Sequence, residues 1–200
     1  MPLLALAFFG VGQLYPVHAE TIPLTDIVRK TMALYFADSS AAAPDLPGRE
    51  RLYQALAHRA QPAKISRKPS GVFVTLSRNG QSRACWGSAF PQYKTVQEAT
   101  VYATLGALTK EYRYKPIGRV EWKALKPQVT VVKALEPISG LRGQNPLTDG
   151  LMLRQGSRSA VILPGEAKDA TYQLVLCKLK AGVRPGEKFQ LYRMIVDVYR

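Results

Sequence analysis

Cysteine and histidine are scarce in this 200-residue chain: Cys85 and Cys177, His18 and His58. Four such side chains without metal-ligand spacing do not make a zinc site, so no metal is expected. The chain also has no Gly-rich phosphate loop, no Gly-x-Ser-x-Gly and no dinucleotide fingerprint, so no bound cofactor is expected. Acidic residues are few, 14 Asp and Glu against 28 Lys and Arg, for a formal charge of +14. That surplus attracts anions in general. The basic residues are scattered, the densest groups being Lys64-Ile-Ser-Arg67-Lys68 and Lys178-Leu-Lys180, which fits a basic soluble surface better than a dedicated polyanion tract.

No Asp, Glu, Lys or Arg precedes Glu20, and Leu3 to Phe9 is an apolar run. Val17-His18-Ala19 offers small residues where a signal peptidase reads them. Residues 1–19 are therefore expected to be a signal peptide, with the mature protein exported to a periplasmic or extracellular space. The alternative is an uncleaved N-terminal membrane anchor, although Gly10, Gly12 and Pro16 interrupt the run. Export argues against nucleic acid as a partner and points the positive charge at an anionic small molecule or envelope component.

Hydrophobic residues make up 46% of the chain, enough for a real core. Residues 20–68 read as a helical segment and linker. One amphipathic helix is expected from Glu20 to about Ser40, capped by Thr25, and a short second helix from Arg51 to His58. Ser39 to Gly48 and Gln61 to Ser70, with their prolines, read as connections.

From residue 69 the pattern changes to hairpins. Val72 to Ser77 and Gln81 to Trp86 flank Asn79-Gly80, which suits a type I′ turn. A two-residue loop with uninterrupted pairing sets Leu76 opposite Arg83, Val74 opposite Cys85 and Phe73 opposite Trp86. Val74, Leu76, Arg83 and Cys85 then share one face, and Phe73, Thr75, Ala84 and Trp86 the other. Thr95-Val-Gln-Glu98 has the form of a capping box and starts a helix to about Leu108. Gln128 to Ala134 is a strand. Leu151 to Arg154 and Ala160 to Leu163 form a second hairpin about Gly156, Asp169 caps a helix ending at Gly182, and Leu191 to Tyr199 closes the chain as a strand. The expected class is α+β, with mainly antiparallel sheets flanked by helices.

Three residues stand out chemically. Cys85 is a candidate catalytic nucleophile, because Arg83 on the same strand face would favour its thiolate. The competing reading is a small buried residue. Arg83 and Arg113 are candidate ligand-binding residues, since a guanidinium offers a planar fork to a carboxylate or phosphate. The competing reading is a pair of structural arginines holding loop carbonyls or a carboxylate such as Glu98 or Glu111. In an exported protein Cys85 and Cys177 either pair or remain free.

An ordered series of stretches resembles the AMMECR-one family. Gly71-Val-Phe-Val-Thr-Leu76 with Asn79-Gly80 resembles its opening hairpin, and Ser82-Arg-Ala-Cys-Trp-Gly87 its Leu-Arg-Gly-Cys-Ile-Gly signature. Tyr112-Arg113-Tyr114-Lys115-Pro116, Val129-Thr-Val-Val132, Leu135-Glu-Pro-Ile138, Asp149-Gly-Leu151, Leu163-Pro164 and Cys177-Lys-Leu-Lys-Ala-Gly182 continue the match. The resemblance implies a two-part α/β fold over residues 69–200, and a link with Memo-type or radical-SAM pathway proteins. It implies no settled activity. Best supported is a binding or accessory module for an anionic small molecule, peptide or envelope component. The alternatives are an enzyme using Cys85, and polyanion or nucleic-acid binding. Two departures are notable. Ala84 replaces the signature's first Gly, which would narrow a site needing close backbone approach. The family's Asp before Arg113 has only Glu111, displaced by one residue, as a counterpart.

Overall fold

The computed structural model describes residues 23–37, 46–60 and 68–200. The expected signal peptide, most of the expected connection from Ser39 to Gly48 and most of the expected linker, residues 61–67, lie outside the described residues; residues 46–48 of that connection are helical rather than loop. Helices α1 (Leu24–Ala37) and α2 (Leu46–Ala60) precede the hairpin β1 (Val72–Arg78) and β2 (Gln81–Ser88). Then follow α3 (Val96–Thr109), a 3-10 turn at Trp122–Ala124, β3 (Lys126–Ile138), the hairpin β4 (Gly150–Gln155) and β5 (Arg158–Ile162), α4 (Ala170–Ala181) and β6 (Gln190–Tyr199). All strand pairs are antiparallel, in one six-stranded sheet ordered β2-β1-β3-β6-β4-β5. The expected α+β class holds. Among the described residues, no helix is long and apolar enough to cross a membrane.

Local chemistry explains most boundaries. Asn79 and Gly80 take positive φ, 52° and 77°, as the tight turn requires. Thr95 accepts the Glu98 N–H at 3.1 Å, and the Glu98 carboxylate reaches back to the Lys94 N–H at 3.2 Å, so α3 starts where the capping pattern places it. Asp169 accepts the Tyr172 N–H at 2.8 Å, and Gly182 ends α4 in the left-handed region at φ 63°. Thr25 does not cap α1. It lies buried inside the first turn, and the carbonyl of Pro23 takes the N–H groups of Asp26 and Ile27.

The helices divide the core. Val72, Val74, Leu76, Val129 and Val131 face α1 and α3 on one side of β1 and β3. The other face of α3 packs Val101 and Leu105 against Leu56 of α2, so this helix is apolar nearly all round because it is covered on both sides. Leu151, Leu153, Ala160 and Ile162 face α4. The opposite sheet surface turns inward and carries Phe73, Val132, Met152 and Met194. Burying each such side chain contributes about 1.5–3 kcal/mol.

One register expectation fails. Pairing runs Ser77↔Ser82 and then Leu76↔Ala84, leaving Arg83 as the extra residue of a β-bulge. Beyond it Thr75 lies opposite Cys85 and Val74 opposite Trp86. The faces are therefore exchanged from the uninterrupted pattern. Ala84 and Trp86 join Val74 and Leu76 on the helix side, while Cys85 joins Phe73 on the inner side. Trp86 sits so close to α3 that a Cβ on Gly106 would lie 2.1 Å from its Cδ1.

Candidate site between the two sheet edges

The sheet curls until its edge strands, β2 and β5, line one cavity of about 310 Å3. Its floor is apolar, with Phe73 from β1, Met152 from β4 and Leu163 after β5. Cys85, Glu111, Arg113, Glu166 and Lys180 supply the polar wall. These come from β2, from the loop after α3, from the loop after β5 and from α4. Helix α4 is held in place by buried Gln173, whose Nε2 donates to the Asp149 carbonyl at 3.0 Å and whose Oε1 accepts from Gln144 Nε2 at 3.0 Å.

Glu111 organises the β2 side. Its carboxylate accepts the Cys85 N–H at 3.0 Å, the Arg113 N–H at 3.0 Å, and Nε and Nη2 of Arg113 at 2.9 and 2.6 Å. Burial opposes its ionisation, but the hydrogen bonds from the Arg113 side chain and backbone and from Cys85 prevail, holding its pKa down at about 2. Bonding to Glu111 raises the Arg113 pKa further above its usual range. The other terminal nitrogen of Arg113 has no partner among the described residues.

On the β5 side, Lys180 Nζ donates to the Val161 carbonyl at 2.8 Å. Glu166 accepts the Leu163 N–H at 2.8 Å. Arg113, tied to β2 through Glu111, and Lys180, bonded to β5, thus both line the cavity. They also border a neighbouring groove of about 790 Å3, shared with Thr75, Ser77, Gln128 and Leu176.

Cys85 lies in the cavity wall and accepts a hydrogen bond from the Thr75 hydroxyl at 3.4 Å. Burial raises its pKa. The Thr75 bond and the charges of Lys180 and Arg113 work the other way without offsetting it, while Glu166 adds to the rise. The group is therefore held as a thiol, and no histidine among the described residues lines the cavity.

Arg83 is not brought to this cavity. At the bulge its guanidinium pairs with Glu121, at 3.2 and 2.8 Å, and donates to the Lys115 carbonyl at 2.7 Å. It packs against one side of Tyr114, with Arg113 near the same ring; the ring centroid lies 5.8 and 5.9 Å from the two guanidinium carbons. Arg83 thus holds a loop carbonyl and a carboxylate, and Arg113 a carboxylate. Cys177 is free and buried on the face of α4 that packs on β4 and β5, where its pKa is pushed up to about 12 mainly by desolvation, and Cys85 is also free. Ala84 is fully buried on the helix side and does not narrow the cavity. Among the described residues, no group of three or more His, Cys, Asp or Glu side chains could hold a metal ion.

Sequence reasoning singled out neither Lys180 nor Glu166 as site residues. The available signal was weak: Lys180 stands inside the Cys177–Gly182 stretch that carries part of the family resemblance, while nothing local marks Glu166.

The comparisons with known proteins agree with the fold. A protein of Thermotoga maritima is 27% identical over 143 residues, covering 70% of this chain and 82% of its own. A protein of Methanothermobacter thermautotrophicus is 30% identical over 152 residues, covering 68% and 77%. The crystal structure of uncharacterized protein PH0010 from Pyrococcus horikoshii superposes with a TM-score of 0.66 at 24% identity, covering 88% of each chain. The AMMECR1 family profile matches residues 26–200, so it takes in α1 and α2 as well as the sheet. This chain belongs to the AMMECR1 family.

Proposed function

We propose that the protein is a binding module whose inner cavity takes a ligand bearing an anionic group. The observation that carries this is that Arg113, tied to the β2 edge through Glu111, and Lys180, bonded to the β5 edge, both line one cavity with an apolar floor. An apolar pocket with a few convergent polar groups is the usual form of a small-molecule site. The two acidic side chains in the wall are already engaged. Glu111 is saturated by four N–H donors, and Glu166 holds the Leu163 N–H. Lys180 has donors beyond the one given to Val161, and Arg113 keeps one terminal nitrogen. The raised pKa of Cys85 removes the support that a nucleophilic role would need.

Thermal shifts with a panel of small carboxylates and phosphates test the reading. A ligand should raise Tm for the wild type. Lys180→Ala should abolish most of that shift. An unaltered shift in Lys180→Ala, or no shift across the panel, would overturn it.

A further inference from the structure

We propose that the ligand is an extended peptide segment whose backbone pairs with the facing edges of β2 and β5, its carboxylate meeting Arg113 and Lys180; this rests on the anion-binding reading above.

The argument begins with the direction of backbone groups. In an antiparallel pair, residues alternate between bonding across the pair and pointing both backbone groups away from it. The β4–β5 loop has two residues, so Gln155↔Arg158 closes it as a bonded pair. Ser159 and Val161, at alternate positions after Arg158, then direct their N–H and carbonyl groups away from β4. The Lys180 contact to the Val161 carbonyl confirms that this oxygen is reached from outside the hairpin.

On β2 the Cys85 N–H goes to Glu111 and therefore points away from β1. Two residues on, Gly87 has the same direction, opposite Phe73 in unbroken register. All four residues, Cys85, Gly87, Ser159 and Val161, line the cavity. The cavity thus lies between two strand edges, each presenting peptide groups to it.

Unpaired edge groups are costly when dry and are templates for a further strand. Charged side chains already cap two of them: Glu111 covers the Cys85 N–H and Lys180 covers the Val161 carbonyl. The groups of Gly87 and Ser159 and the Val161 N–H remain turned toward the space between. A ligand with a carboxylate and an aliphatic tail would leave them unpaired. A peptide backbone has donors and acceptors on both sides at strand spacing, and it can satisfy both edges at once. Alternate side chains of such a segment would meet Phe73 and Met152 on the floor.

The test uses the full chain and four probes: acetyl-Val-Ala-Val with a free carboxylate, the same peptide N-methylated at its central amide, its C-terminal amide, and octanoate. Affinity is read by calorimetry, and amide hydrogen exchange is read at Gly87 and Val161. The free-acid peptide is expected to bind and to slow exchange at both amides. N-methylation should weaken it about tenfold, the ratio expected when one or two backbone hydrogen bonds are lost. The amide form should also bind more weakly. Val161→Pro removes an N–H that faces away from the ladder, a position where an edge strand tolerates proline. It should weaken the peptide more than it weakens octanoate; Ser159→Pro repeats the test at the next outward position. If octanoate binds as tightly as the peptide, or N-methylation has no effect, backbone pairing is overturned while the anion site stands. If none of the four probes binds, the anion-binding reading beneath it falls as well.

Discussion

The carboxylate of Glu111 accepts the backbone N–H of Cys85 at 3.0 Å, so an acidic side chain from the loop after α3 caps the outer edge of β2. The same carboxylate is gripped by Arg113. One residue therefore closes a strand edge, anchors a loop and orients a cation at the cavity.

That arrangement has a pH signature. Glu111 has an ordinary pKa of 4.5 and a folded value of about 2. Its folded pKa is depressed, so its stabilisation is complete above the unfolded value and is lost as pH falls from about 4.5 to about 2. Glu111→Gln should destabilise the protein at pH 7 by about 1–3 kcal/mol, allowing for the partial exposure of Arg113. Its stability should also decline less than that of the wild type across that acid window. Urea denaturation of both proteins at pH 7, 4.5 and 3 measures this, and parallel stability curves would contradict it.

The thiols should behave as poor nucleophiles at neutral pH. Burial raises Cys85 above its ordinary value of 9.0, and Cys177 stands at about 12. Iodoacetamide should therefore label native Cys85 more slowly at pH 7 than it labels the unfolded chain, with the rate climbing only at and above pH 9. Cys177 should resist labelling until the protein unfolds. Mass spectrometry across a pH series gives both rates. Rapid labelling of Cys85 at pH 7 would restore the nucleophile reading.

Legibility in the sequence follows the range of the interactions involved. The Asn79-Gly80 turn, the Thr95 box and the Asp169 and Gly182 caps are set by neighbours within a few residues, and all stand where the residues indicate. The bulge at Arg83 depends on which side of β2 meets α3, which no local pattern records. A single extra residue there moved Cys85 from an expected place beside Val74 and Leu76 to the inner face. The α1 start shifted because Pro23 supplies its carbonyl to the first turn, leaving Thr25 free to be buried. At the site, Arg113 and Cys85 were visible as residue types. Glu111 was visible only as a displaced counterpart of the family Asp and as one structural partner for an arginine. Glu166 and Lys180 come from segments remote in sequence, joined to the others only when the sheet curls.

The contact between Trp86 and Gly106 ties β2 to α3 and fixes the wall opposite β5. A Cβ at position 106 would meet the indole at 2.1 Å. Alanine there gains about 1 kcal/mol in helix propensity, yet overpacking against the half-buried Trp86 ring costs more. Gly106→Ala should be destabilising by about 1–3 kcal/mol. Gly118→Ala, where an added Cβ has open space, should have little effect. Thermal denaturation of the two variants compares them directly, and equal Tm values would show that Trp86 moves aside freely.

Arg83 and Arg113 should separate by function although both approach Tyr114. Arg83 is occupied by Glu121 and the carbonyl of Lys115, and it does not line the cavity. Its removal loosens the loop between α3 and the 3-10 turn and leaves the Glu121 carboxylate, already mostly buried, without its cation. Arg83→Ala is expected to cost about 1–3 kcal/mol of stability while leaving the affinity of a carboxylate probe within about twofold, since the retained Glu111–Arg113 pair still orients the cavity cation. Arg113→Ala should weaken that affinity by about tenfold or more, the loss expected for a charge-assisted hydrogen bond. Calorimetric titration of both variants with octanoate, at a temperature where each is fully folded, makes the comparison. An equal loss in the two would mean that the bulged arginine also reaches the ligand, and the cavity between β2 and β5 would then no longer define the binding site.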